Sequence, residues 1–457
     1  MTSLSLTQAI PRLIRAVPKS RNFEAVLLFW VSGIYAFALA QVQLAVSQQL
    51  NIEILGFWAP PVVASFVLHV VLRRRANQAD GLLLPLAALL NYLGIAMIYR
   101  LDLAEVARQS GDLYSVRQVW LSVLAMIVAA IVIRFVPSHL FLRKYPFVAM
   151  AVGITLLLLP ALPFIGRTIN GATLWIRLGD FSFQPGEIAK IALAIFFAGY
   201  LVSKKDSLSL IGNKILWFRV PRAKELGPIL VVWLASLAVL VLQRDLGTSL
   251  LYFGLFLVMI YAATGRGFYV GAGVTMIVAG VLIASRLFDY LQSRFASWLN
   301  PFDQQNYESF GGSYQLVQGL FGLAHGGVIG AGLGGGFPQL IPLAESDFIL
   351  VALGEELGMA GLFAIFAIFL IIIYRGLRIA NSHQDDFSKL LAVGLSFTIA
   401  LQLFVVAGGV LGLLPLTGLT APFLAAGGSS LLANWLIVAL LLRISDSNVS
   451  WRDEPTD

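Results

Sequence analysis

The stretch FILVALGEELGMAGLFAIFAIFLIIIY, residues 348–374, decides how the rest of the chain is read, because its only charged residues are Glu355 and Glu356. A helix of ~20 apolar residues crosses the ~30 Å hydrocarbon layer of a bilayer. A charge at mid-membrane costs roughly 2.5–3.5 kcal/mol, so two glutamates inside such a run must meet a partner or a cavity. Outward from it, similar runs fall at 24–47, 53–72, 81–99, 118–136, 146–165, 185–202, 225–243, 248–264, 268–287, 388–414 and 420–443, which makes twelve spans in all. The expected fold class is all-α, a polytopic integral membrane helical bundle. With 58% hydrophobic and 12% charged residues, a soluble globular domain is excluded.

The chain has no cysteine, which excludes disulfide and thiolate chemistry, and its four histidines are too scattered for a His-built metal site. The first 23 residues carry Arg12, Arg15, Lys19 and Arg21 but no short apolar core with a small-residue cleavage site, so a cleaved signal peptide is not expected. Basic flanks stay cytoplasmic. With twelve spans, the side holding both termini has 22 of the 31 Lys and Arg residues, the other side has eight, and Lys190 lies within a span. Both termini are therefore expected on the cytoplasmic side of the membrane, and the 288–347 loop on the other. The net charge of +7 reflects this topology, not a nucleic-acid surface.

That loop holds the chain's long polar insert, NPFDQQNYESFGGSYQ at 300–315. The cytoplasmic 203–224 segment reads as a solvated basic loop. The glycine-rich run AHGGVIGAGLGGGF at 324–337 lacks a preceding strand and a Lys-Ser/Thr ending, so it reads as close packing or a re-entrant turn, not a phosphate cradle.

Several charges need an explanation. Glu187 and Lys190 are three apart on one helical face, Arg244 and Asp245 end a span, and Arg100, Arg167 and Arg177 lie near the same outer level. Asp347 sits eight residues before Glu355, a little over two helical turns. Guanidinium groups pair with phosphate oxygens and carboxylates accept protons.

Five stretches then have a common source: NGATLWIRLGDFSFQPGEIAK at 170–190, QRDLGTS at 243–249, GSYQLVQG at 312–319, AESDFILVALGEELG at 344–358 and LPLTGLTAPFLAAGGSS at 414–430. In this order they resemble the SEDS family of bacterial cell-wall polymerases, the RodA/FtsW type, with elongation-type character. The resemblance implies a SEDS-like ten-helix core at 81–445, an arm and two added helices in 1–80, and a tail at 446–457. It also implies a peptidoglycan glycosyltransferase polymerising lipid II, in elongation or division, with a class B penicillin-binding protein as partner and membrane lipids around it.

In the family an acid of the large outer loop is regarded as catalytic. Counting back from Tyr314 gives Glu308, and counting forward from Asn300-Pro301 gives Asp303. Arg100, Arg177, Lys190 and Arg244 are the candidate pyrophosphate cations, with Glu187, Asp245, Asp347 and Glu355 in support. No cofactor is expected, and a divalent cation is only an option. Trp175 and Pro185 read as an interfacial anchor and a helix start. The chain departs from the family at Gly186, Arg244 and Ala425-Ala426, and at Leu174, where an arginine is usual. Arg177, on the same face if the stretch is helical, is the expected replacement. Two rival readings are a precursor flippase, which would show discontinuous helices in corresponding halves, and a scaffold that activates a partner synthase, whose loop acids would tolerate neutral substitution.

Overall fold

The structure is a computed structural model that describes residues 21–106, 113–136, 138–162, 165–169, 172–178, 181–209, 214–215, 218–219, Leu234, Ala235, Ala238, Gln243, 245–309 and 311–450. Among these residues, ten helices are long and apolar enough to cross a membrane. They are α1 (Arg21–Ser47), α2 (Ile54–Arg75), α3 (Leu83–Val106), α4 (Tyr114–Phe135), α6 (Pro185–Ser209), α7 (Leu246–Thr264), α8 (Gly267–Leu287), α12 (Ile349–Ser382), α13 (Asp386–Val410) and α14 (Gly428–Ser450). The expected span at 146–165 is instead a short apolar helix, α5 (Pro146–Leu158), followed by a single tighter turn. The span read at 225–243 lies outside the described residues apart from isolated positions.

Two boundaries move for a physical reason. The expected helix at 420–443 begins only at Gly428, and residues 411–427 form an irregular segment between α13 and α14. Pro415, Gly418 (φ +71°) and Pro422 break helical continuity there. Helix α12 runs to Ser382 but is kinked at Gly358 (φ 71°).

The two leading helices are bound into the bundle. Pro61 within α2 has no N–H for the carbonyl of Phe57, and the Tyr35 hydroxyl of α1 donates to that carbonyl instead, at 3.0 Å. Tyr35 stacks on Tyr92 of α3, with centroids 4.6 Å apart, and the Tyr92 hydroxyl bonds the Pro61 carbonyl and Ser65. Buried Glu24 joins Arg21 and His69.

The connections on the loop side contain the remaining elements. A three-stranded antiparallel sheet, β1 (Gly166–Ile169), β2 (Ala172–Leu178) and β3 (Phe181–Phe183), precedes α6. The large loop folds into α9 (Asp289–Leu299), the short α10 (Gln304–Glu308) and α11 (Tyr314–Gly326).

Candidate active site

Irregular backbone at membrane depth is tolerated where it lines a cavity, and the 411–427 segment does so. It forms one wall of a chamber of about 980 Å³ whose other walls come from the large 288–347 loop, the sheet and the ends of α4 and α13. Four side-chain ties fix the segment. Trp298 Nε1 donates to the Gly412 carbonyl at 2.8 Å, Arg294 Nη1 to Leu416 at 3.3 Å, Gln402 to Thr420 at 2.8 Å and Gln118 to Ala425 at 3.0 Å. At Gly94 of α3, an added Cβ would lie 2.2 Å from the Leu424 carbonyl, so only glycine lets the segment sit this close.

Helical spacing explains which side chains reach the chamber. Tyr114, Arg117, Gln118 and Leu121 recur on one face of α4, and Arg294, Ser297 and Trp298 on one face of α9, and all of them line it. Glu308, at the end of α10, is exposed at the chamber's edge, where its Oε1 accepts from Gln304 at 3.0 Å. Asp303 is also exposed but is not a lining residue. Its carboxylate accepts from the Asn306 backbone N–H at 3.2 Å and so caps α10.

Three further carboxylates face the chamber. Asp245 caps α7 through the Thr248 N–H at 3.1 Å and is buried. Burial and the neighbouring Glu345 push the Asp347 carboxyl up to about 6, against the opposing pull of Arg294. Glu345 is itself raised, mainly by burial. Arg294 lies within electrostatic reach of both Asp245 and Asp347.

Three of the four cations read from the sequence, Arg100, Arg177 and Lys190, do not line this surface. Arg100 is buried, donating from Nε to Glu356 at 2.9 Å and from Nη2 to the Gly336 carbonyl at 2.8 Å. Lys190, 1% exposed, pairs with Glu187 at 2.5 Å and donates to Gln402 at 2.8 Å. It supports the chamber from below, since Gln402 is the residue that holds Thr420. Arg177 lies on strand β2, not a helix, so the alternation of a strand puts it on the opposite face from Leu174, and it is not a lining residue. The expected replacement of a missing guanidinium by helical spacing is corrected on that ground. Arg244 lies outside the described residues. The cations that do line the chamber are Arg117 and Arg294, which the sequence reading left without a role. Their signal was available in the three- and four-residue spacing of Arg117 to Tyr114 and Leu121 and of Arg294 to Ser297 and Trp298.

The supporting acids divide. Asp245 and Asp347 face the chamber directly, whereas Glu355 pins the glycine-rich run, accepting from His325 Nδ1 at 2.9 Å and the Phe337 N–H at 2.8 Å. Glu356 accepts from the Gly334 N–H at 2.9 Å. The run packs backbone to backbone on the kink of α12, where a Cβ on Gly358 would meet the Gly330 nitrogen at 2.3 Å. Close packing, not phosphate cradling, is its role. Trp175 lines the chamber instead of serving only as an interfacial anchor, and Pro185 starts α6 as expected. Among the described residues no group of three or more His, Asp or Glu is arranged to hold a metal ion.

A polytopic helical membrane protein with a large charged chamber at one end of the bundle is the class that this geometry defines. The family model for FtsW/RodA/SpoVE cell cycle proteins matches residues 80–450, and the chain belongs to that family. The peptidoglycan glycosyltransferase RodA of Mycobacterium tuberculosis is 42% identical over 432 residues, 94% of this chain and 91% of its own length. That match must include more than half of residues 1–79, which the family model omits. A probable peptidoglycan glycosyltransferase FtsW of Geobacter metallireducens is 34% identical over 81% of this chain and 96% of its own. The fold is shared with a chain of a peptidoglycan synthase complex at a TM-score of 0.65 and 23% identity, covering 81% of this chain and 98% of that one.

Proposed function

We propose that this chain is a RodA-type peptidoglycan glycosyltransferase that polymerises lipid II in its chamber, with Glu308 as the proton acceptor. The observation that carries the assignment of the acid is that Glu308 lines the same chamber as Arg117 and Arg294, while the carboxylate of Asp303 is engaged in capping α10. The identity to the mycobacterial RodA, higher than that to the Geobacter FtsW, supports the RodA type. The basic bias of the side holding both termini supports a cytoplasmic-membrane topology with the chamber facing outward.

In the reaction an acceptor sugar hydroxyl attacks the anomeric carbon of the lipid-linked donor. Its proton passes to the Glu308 carboxylate as the carbon–oxygen bond to the pyrophosphate breaks, and the bonding electron pair leaves on polyprenyl pyrophosphate. A positioned base is worth roughly 10²–10⁴ in rate. Arg294 and Arg117 face the charge that grows on the leaving group, and fixed cations in a partly desolvated chamber stabilise it without reorganising. Asp245 and Asp347 hold Arg294 in their field, and Lys190 with Glu187 supports the chamber through Gln402. Trp298 and Tyr307 offer flat apolar faces to the sugar rings. No step requires a resident cofactor. A class B penicillin-binding protein is the proposed partner, supported by the fold shared with a synthase-complex chain.

Glycan polymerisation from lipid II by the purified chain with its partner transpeptidase tests the assignment. Glu308→Gln is expected to lose roughly 10²–10⁴ in rate, and Asp303→Asn to retain it, because asparagine caps a helix as well as aspartate does. Full activity in both variants would remove the proton-acceptor role from this loop.

A further inference from the structure

The opposite end of the bundle has a charged feature that the chamber does not use. Arg443 of α14 donates from Nε to the Val136 carbonyl at 2.8 Å and from Nη1 to the Arg75 carbonyl at 2.9 Å. One guanidinium therefore ties together the ends of α2 and α4, two helices that pack side by side. Around this tie stand Arg73, Arg74, Arg75 and Arg134, all exposed. Among the described residues none of the four is in an ion pair. The described carboxylates at this end are already engaged, Asp80 by Arg375, Asp446 by Arg443, Glu24 by Arg21 and His69, Asp385 by Arg143 and Asp386 by Lys205. The chain before Arg21 contributes only more positive charge, since residues 1–20 contain no Asp or Glu.

The arginines also continue two apolar stripes. On α2, Val63, Val67 and Val70 are exposed at helical spacing, and Arg74 is the next position on that face. On α4, Leu124, Ile127 and Ile131 are exposed, Arg134 lies seven residues after Ile127, and its guanidinium sits 5.2 Å from the ring of exposed Phe135. Two strips of hydrocarbon-facing side chains thus end together in guanidinium groups at headgroup depth.

We propose that the seam between the ends of α2 and α4 is a binding site for an anionic phospholipid, its phosphate on Arg74 and Arg134 and its acyl chains along the two valine and isoleucine stripes. A zwitterionic headgroup brings its own cation and leaves the arginines uncompensated, whereas a net negative one supplies the missing charge. The site lies between an added leading helix and the core, so a bound lipid would join the two.

Native mass spectrometry of the full chain from detergent, titrated with phosphatidylglycerol or phosphatidylcholine, tests this. Phosphatidylglycerol is expected to be retained over phosphatidylcholine. Each guanidinium near the surface is worth about fivefold, so the Arg74→Gln/Arg134→Gln variant should lose about 30-fold. Lys204→Gln/Arg378→Gln, which removes equal charge from exposed positions outside the seam, should leave retention unchanged. Equal retention of both lipids, or undiminished retention in the Arg74/Arg134 variant, would overturn the proposal. So would a rise in retention when Asp453, Glu454 and Asp457 are neutralised, since that would give the seam to the chain's own tail.

Discussion

Replacing Asp347 by asparagine tests whether the chamber stores an unfavourable charge. Burial and Glu345 raise the Asp347 carboxyl from 3.8 to about 6. That difference of about two pH units corresponds to about 3 kcal/mol at ~1.36 kcal/mol per unit. The folded chain binds this proton more tightly than the unfolded chain, so it carries more protons between pH of about 4 and 6. The contribution is fully present below pH ~4 and is lost as pH rises through ~6, which leaves the charged form a burden at neutral pH. Asparagine has the same shape and no proton to lose. The variant should therefore lack this fall and unfold at a higher temperature than the parent at pH 7, while losing polymerase activity, the pattern of a site that trades stability for function. Burial also raises the Glu345 carboxyl, so the readout is the difference in apparent Tm between parent and variant, followed by tryptophan fluorescence in one detergent over a pH range of about 4.5 to 7.5. A difference that does not change with pH would refute the reasoning.

Other substitutions probe the frame. Arg100→Met should destabilise the chain by about 3–5 kcal/mol by leaving Glu356 buried without its partner, and adding Glu356→Leu should restore most of the loss, measured as thermal stability. Gly358→Ala should prevent accumulation of folded protein, because a Cβ there meets the Gly330 backbone at a left-handed φ. Arg294→Gln should lower polymerisation about tenfold or more while preserving the fold. Arg177→Gln, away from the chamber lining, should cost less than half the activity in the same assay.

Much of the architecture was legible because hydrophobic length is a local property. Ten of the twelve spans are helices of membrane-crossing length, and the buried acids of α12 have the partners that the cost of mid-membrane charge demands. The polar loop that helps to wall the chamber was also legible as an insert, as a long polar stretch in an otherwise apolar chain. The role of each cation was not. Arg100 looks like a ligand-binding charge when read along the chain, but its carboxylate partner Glu356 is 256 residues away, and Lys190, whose partner Glu187 is three residues away, is tied to the chamber by Gln402, 212 residues on.

The sequence by itself determined the solvent, the class of fold and the family, because hydropathy, charge bias and ordered motifs are written residue by residue. Only the tertiary structure decided that Glu308 and not Asp303 faces the chamber, that residues 411–427 leave the helix to form its wall, and that Arg117 and Arg294 are its cations. Those outcomes turn on which side chains already have partners, and partnership is a property of packing between distant segments.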